Sequence, residues 1–208
     1  MNIESNNQLN IDQILEDLFH PNPNINQEAY LIINKLYPQI IIDLLISKLD
    51  ADDVYIRRKS ALALSSIGEN ILLPLSKKYL SSESAVFHMS CLKVFSRIFS
   101  TYKITLDIPE LDKVIKLALQ DESSEILLTV MPLLRQIGLK YLPFLISQCK
   151  GKNVLRACSA ISAIAELDDP LVEKVLLLIL NDKSKDILIR DSASDAISRY
   201  NQIKSLGK

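Results

Sequence analysis

The chain has 208 residues, of which 48% are hydrophobic and 24% are charged, with only four glycines and no tryptophan. Its 24 Lys and Arg residues nearly balance 25 Asp and Glu residues, and the resulting net charge of -1 argues against nucleic-acid or membrane partners, because no global positive field exists. No apolar run reaches the about 18 residues of a membrane-spanning helix, and Met1 is followed by a polar segment, which predicts a cytoplasmic protein.

Apolar periodicity and helix punctuation predict about six helical pairs and no strand. Asn10 can cap the first helix, and Pro38 can open the third because a missing N–H costs nothing in a first turn. Asp52 and Asp53 can accept free N–H groups where the fourth helix begins, and Gly68 ends that helix. The predicted helices, in chain order, are 11–19, 25–37, 38–49, 52–67, 70–80, 83–99, 109–120, 123–137, 140–150, 153–166, 170–181 and 185–200.

These helices predict three regions along the chain. Residues 1–9 form a flexible, polar N-terminal arm, and residues 201–208 form a frayed tail. Residues 10–200 form a single repeat domain, with STYKITLDI as its one irregular connection.

One phrase of the sequence is repeated. Ile-Arg followed by a helix of small residues occurs at 56–57 and again at 189–190, and Ile-Gly at 67–68 matches Ile-Gly at 137–138. FHMSCLKVFSRIF and NVLRACSAISAIAEL are two degraded copies. Self-similarity at a spacing of roughly 30 to 45 residues predicts a solenoid of helical pairs.

The repeated phrase resembles the HEAT repeat over nearly the whole chain. The resemblance implies an all-α fold, an α-α superhelix in which the arginine-bearing second helices line the concave surface. It also implies that Arg57 and Arg190 are structural arginines that pair with nearby acids such as Asp53 and Asp186, because a partly buried guanidinium needs partners.

A basic strip is the first candidate site. When the copies are overlaid, Arg97, Arg135 and Arg199 fall in neighbouring columns near the ends of second helices, with Lys93 and Arg156 in the same helices. Arginine offers a planar donor pair, so the strip could bind carboxylates of a ligand or an acidic partner surface. The alternative is that these cations only stabilise helix C-termini, by about 0.3–1 kcal/mol each.

Metal and nucleophile chemistry is not indicated. Cys91, Cys149 and Cys158 are odd in number and not spaced as metal ligands, which predicts buried free thiols. His20 and His88 lack the His-Glu pairs of HEAT-fold iron hydroxylases. The basic, tryptophan-bearing groove of HEAT-like DNA glycosylases is also missing.

The chain's length and degenerate IRxxAxxA repeats resemble the E/F/Z-type phycobiliprotein lyases and their chaperone-like relatives of cyanobacteria. The resemblance implies help in joining a bilin, transiently bound and here expected to be phycoerythrobilin, to a cysteine of a phycobiliprotein subunit such as that of phycoerythrin. Some members need a second HEAT-repeat chain. The alternative is a scaffold that binds proteins only, since fold does not fix function.

If the chain acts on the bilin, a general acid near a pyrrole nitrogen is expected. Asp191, Asp195 and Tyr200 are the candidates on the last predicted helix. The alternative for each is an ordinary solvated position on a helix surface.

Overall fold

A computed structural model describes residues 11–36, 39–104 and 107–206. Within these ranges the chain forms twelve α-helices, three short 3-10 helices and no strand. The α-helices are α1 (Ile11–Phe19), α2 (Pro23–Leu36), α3 (Gln39–Ser47), α4 (Val54–Ser66), α5 (Leu72–Leu80), α6 (Ala85–Thr101), α7 (Pro109–Gln120), α8 (Ser124–Ile137), α9 (Leu142–Cys149), α10 (Val154–Ile164), α11 (Pro170–Asn181) and α12 (Ile187–Leu206). The predicted all-α fold of helical pairs is confirmed.

Most predicted helix limits agree with the observed ones. α1, α7 and α11 have the predicted bounds, and the remaining starts differ by a few residues. α12 differs most, because it continues to Leu206, past the predicted end at 200. No strong helix breaker occurs before Gly207, so nothing in residues 201–206 stops the helix. The predicted cap Asn10, the predicted helix start Pro38 and the predicted N-terminal arm lie outside the described residues.

A side-chain cap begins α4 and α8, and a glycine follows each of these two helices. Asp53 accepts a hydrogen bond from the Tyr55 backbone N–H at 2.7 Å, as predicted for the start of α4. Gly68 follows that helix with φ 74°, and Gly138 follows α8 with φ 89° and ψ -143°. Glycine is favoured at both positions because an L side chain rarely adopts positive φ.

The helices pack into two compact units, Met1–Val114 and Ile115–Lys208. In the first unit α4 packs against α3 and α6, and in the second α10 packs against α8, α9 and α12. Small residues lie where second helices meet, since Ser60 and Ala63 in α4, and Ala193 and Ala196 in α12, have no exposed surface. The single repeat domain over residues 10–200 stays a prediction. No helix within the described ranges combines the length and apolarity needed to cross a bilayer.

Replacing Gly138 with alanine should isolate the cost of the left-handed backbone. A Cβ at Gly138 would have no heavy atom within 4 Å, so steric contact contributes nothing. We expect Gly138→Ala to lower the free energy of unfolding by about 1–3 kcal/mol, measured by urea denaturation. Ser147→Ala, at an exposed position of α9, is the control and should change it by under about 0.5 kcal/mol. Equal stability of the two variants would contradict this explanation.

Candidate ligand-binding groove

α4 and α6 pack side by side in the first unit and leave a groove of about 370 Å³ between them. Four of its eight lining residues are cations and none is acidic. The lining residues are Val54, Arg57, Arg58, Ala61 and Leu62 from α4, and Ser90, Lys93 and Arg97 from α6. The groove therefore combines a positive charge with an apolar surface, and its volume lies within the about 300–1,000 Å³ typical of small-molecule sites.

Arg57 serves the fold as well as the groove. Its Nη1 donates hydrogen bonds to the backbone carbonyls of Ala51 at 2.5 Å and Asp52 at 2.9 Å, which fixes the turn before α4. The predicted pairing of Arg57 with the Asp53 carboxylate is wrong. Asp53 caps its own helix through the Tyr55 N–H, and among the described residues no ion pair joins it to Arg57.

The predicted pairing of Arg190 with Asp186 is wrong for the same reason. The Asp186 carboxylate accepts the Leu188 backbone N–H at 2.8 Å. The charge of Arg190 acts on Asp182 instead. Hydrogen bonds from Ser184 lower the pKa of Asp182, and the Arg190 charge adds a smaller contribution in the same direction.

Lys93 and Arg97 lie on α6 one helical turn apart, about 6 Å along the axis. Both side chains are exposed, and in the part of the chain that the structure describes neither forms an ion pair. Arg97 also acts on Tyr30 of α2. Burial raises the pKa of Tyr30, and the Arg97 charge opposes part of that increase. The α6 wall of the groove thus presents two positive charges without a neutralising carboxylate.

A second groove, of about 230 Å³, lies between α8 and α10 in the other unit. Its lining residues are Leu128, Met131, Pro132 and Arg135 from α8, and Ser159, Ser162, Ala163 and Glu166 from the region of α10. Arg135 forms an ion pair with Glu166, so the charges in this groove cancel. In the repeat overlay, the positions of Arg58, Lys93 and Arg97 are taken here by Leu128, Ser159 and Ala163.

The other predicted cations have neighbours in the second unit. The Arg156 Nη2 donates to the Glu122 carbonyl at 3.0 Å, which holds the turn before α8. Arg199 is exposed, and both terminal nitrogens of its guanidinium lie 3.4 Å from the Ser162 hydroxyl. The structure therefore brings Lys93 and Arg97 together, whereas a strip through Arg97, Arg135 and Arg199 stays a prediction.

The predicted acids all lie on α12, in the second unit. Asp191 and Asp195 are exposed at the helix surface. Tyr200 is only 4% exposed, and its hydroxyl donates to the Asp169 carbonyl at 3.2 Å. The Tyr200 hydroxyl thus joins α12 to the residue that caps the start of α11, and a catalytic role for any of the three stays a prediction.

Arg58 is the groove residue that sequence reasoning missed. The repeat pattern singled out Arg57 because an arginine recurs at its position, whereas no arginine recurs at the position of Arg58. The overlaid positions in the other copies hold Met89, Leu128, Leu155 and Asp191. The available signal was that Arg58 and Lys93 are each the single cation in their column of the overlay, and that they lie in consecutive copies of the repeat.

Cys91, Cys149 and His88 are buried packing groups. Burial raises the pKa of the Cys91 thiol well above its usual value and that of Cys149 to about 12. Cys158, predicted to be buried, is partly exposed, and its Sγ donates to the Leu188 carbonyl at 3.6 Å. His88 is buried and stacks on Tyr79 with ring centroids 4.0 Å apart. Among the described residues, no group of three or more His, Cys, Asp or Glu is placed to hold a metal ion.

Two curated proteins are similar to this chain over most of its length. The uncharacterized phycocyanin operon protein Z of Pseudanabaena tenuis (strain PCC 7409) is 28% identical over 196 residues, covering 94% of this chain and 97% of that protein. The bilin biosynthesis protein CpeZ of Synechococcus sp. (strain WH8020) is 25% identical over 178 residues, covering 83% and 96%. The chain is a relative of both. The resemblance predicted from the repeats is confirmed.

No protein-family model matches the chain. Among solved structures, a designed armadillo repeat protein aligns with 92% of this chain and with the whole of its own length, at 15% identity and a TM-score of 0.46.

The neighbouring arginines of α4 should respond differently to removal. Arg57→Ala loses two hydrogen bonds to backbone carbonyls and should lower the free energy of unfolding by about 1–3 kcal/mol. Arg58 is exposed, so Arg58→Ala should change it by under about 0.5 kcal/mol. Urea denaturation of both variants measures the difference, and equal losses would contradict a fold-holding role confined to Arg57.

Thiol labelling should separate the three cysteines. With an aromatic disulfide reagent at pH 8, we expect Cys158 to react first and Cys91 and Cys149 to react slowly, because burial and a raised pKa both suppress the reactive thiolate. Cys158→Ala should remove the fast phase. A fast phase that persists in this variant would contradict the assignment.

Proposed function

We propose that this protein acts in the cytoplasm as a lyase subunit or chaperone-like factor that assists covalent attachment of a bilin to a cysteine of a phycobiliprotein subunit. The observation that carries the proposal is the α4/α6 groove, in which four cations surround apolar side chains. The similarity to a bilin biosynthesis protein over 83% of the chain indicates which anionic ligand to consider.

A bilin suits this groove chemically. It is a flat, largely apolar, open-chain tetrapyrrole with two propionates, so it needs both an apolar surface and cations. In the attachment step a client thiol adds across an exocyclic carbon–carbon double bond. The sulfur bonds to carbon, the thiol proton ends on the tetrapyrrole, and nothing is oxidised or reduced. The contribution of this chain is to hold and orient the bilin, which raises the effective concentration of the reacting groups.

The client supplies the cysteine, which agrees with the buried state of Cys91 and Cys149. Phycoerythrobilin is the proposed transient ligand and a phycoerythrin subunit the proposed client, with a second HEAT-repeat chain as a further partner. Asp191, Asp195 and Tyr200 remain the proposed candidates for a general acid, and of the three the Tyr200 hydroxyl already donates to a backbone carbonyl, that of Asp169.

A second candidate function is a chaperone or scaffold that binds the client and no bilin. Large apolar side chains at the starts of two helices of the second unit favour it. Leu155 in α10 is 56% exposed, and Ile187 and Leu188 in α12 are 61% and 60% exposed. Exposed apolar groups of this kind are typical of protein-binding surfaces when they form a patch.

Co-expression tests the proposed function. Phycoerythrin subunits and the enzymes of bilin synthesis are produced in a heterologous host with and without this chain, and covalent bilin is measured by zinc fluorescence of the denatured client. We expect more bilin per client in the presence of the chain. An increase in client solubility with unchanged bilin per client would favour the chaperone function, and no change in either would overturn both.

A further inference from the structure

We propose that the α4/α6 groove is a two-carboxylate site that binds a bilin through both propionates and therefore selects the free diacid over its esters. The identity of the ligand rests on the proposed function, whereas the demand for two carboxylates comes from the groove itself.

The cations stand on both walls of the groove. Arg58 projects from α4, and Lys93 and Arg97 project from α6. All three are exposed, and within the described residues none has a carboxylate partner. Arg57 adds a fourth charge, although its Nη1 is committed to the carbonyls before α4. A ligand with a single carboxylate would neutralise one wall and leave the other positive, whereas two carboxylates can be met from both sides.

The apolar part of the lining determines what lies between the carboxylates. Val54, Ala61 and Leu62 contribute it from α4. These side chains suit a flat hydrocarbon skeleton. Of the side chains in the lining, only the Ser90 hydroxyl could accept a hydrogen bond from a peptide N–H, because the cations can only donate. We therefore assign the groove to a small diacid and not to an acidic segment of a protein.

The size of the groove predicts how much of the ligand it encloses. At about 370 Å³ it lies at the low end of small-molecule sites, so it would enclose only part of a four-ring ligand. Binding by the propionate-bearing edge would leave the terminal rings outside. The carbon that reacts with the client thiol would then stay accessible, which a deep pocket would prevent.

The second groove of the same chain provides a matched comparison. The overlaid positions of Arg58, Lys93 and Arg97 are occupied there by Leu128, Ser159 and Ala163, and the one cation, Arg135, is neutralised by Glu166. The triple variant Arg58→Leu, Lys93→Ser, Arg97→Ala therefore places in the first groove the residues that this chain already has at the overlaid positions of the second groove. Because the three replaced side chains are exposed, the variant should remain folded.

The test is a binding titration with phycoerythrobilin as the free diacid and as its dimethyl ester, followed by absorbance and checked for folding by circular dichroism. We expect the ester to bind at least tenfold more weakly than the diacid, and diacid binding to weaken as salt is raised. The triple variant should lose the preference for the diacid. Lys183→Ala, which removes an exposed cation of the second unit that lines neither groove, is the control and should bind like the parent.

Three results would overturn the inference: equal affinity for diacid and ester, unchanged diacid binding by the folded triple variant, or no bilin binding by the folded parent. Loss of client binding in the triple variant without any bilin binding would point to an acidic protein surface instead. The attachment assay keeps the two proposals apart. Stimulated attachment without diacid selectivity would support the proposed function and contradict the inference about the groove. Diacid selectivity without stimulated attachment would support the inference about the groove and contradict the proposed function.

Discussion

The packing of α4 against α6 is the contact on which the groove depends. Ser60, Ala63 and Leu64 of α4, and Leu92 and Phe95 of α6, are buried or nearly so, and the small side chains let the two helices approach closely. Protein interiors are packed as densely as organic crystals, so this interface fixes the positions of the exposed faces beside it. Arg58, Lys93 and Arg97 need no bonds of their own to stay near one another, because the buried faces of their helices hold them there.

A chain with a net charge of -1 can keep a locally positive groove because no acidic residue lines that groove. Asp53, Asp169 and Asp186 each accept a backbone N–H at the start of a helix. There they offset the positive end of the helix dipole and satisfy donors that have no partner within the helix. Capping thus stabilises the helices, and among the described residues none of these three acids forms an ion pair. In the second unit, Glu166 is free to reach Arg135, and the charge is lost from that groove.

An open, partly apolar groove suits a factor that hands its ligand on. A ligand enclosed on all sides leaves slowly, and most differences in affinity between related sites arise in the dissociation rate. A groove that encloses only part of a bilin would hold it for less time, but it would leave the reacting end accessible to a client. This balance fits the proposed role, in which the chain orients the bilin and the client supplies the thiol.

The sequence by itself determined the helical repeat, the caps and the candidate cations, because these depend on neighbours within one helix or one turn. The period of the repeats, the Asp53 cap and the glycines at 68 and 138 could all be read locally. Only the tertiary structure decided which cations remain unpaired. Arg135 pairs with the Glu166 carboxylate across 31 positions, and Arg156 donates to the backbone carbonyl of Glu122 across 34, about one repeat away in each case. Such partners are set by how consecutive repeats stack, which depends on the packing of whole helix faces, so the sequence could name Lys93 and Arg97 but not join them to Arg58 in one groove.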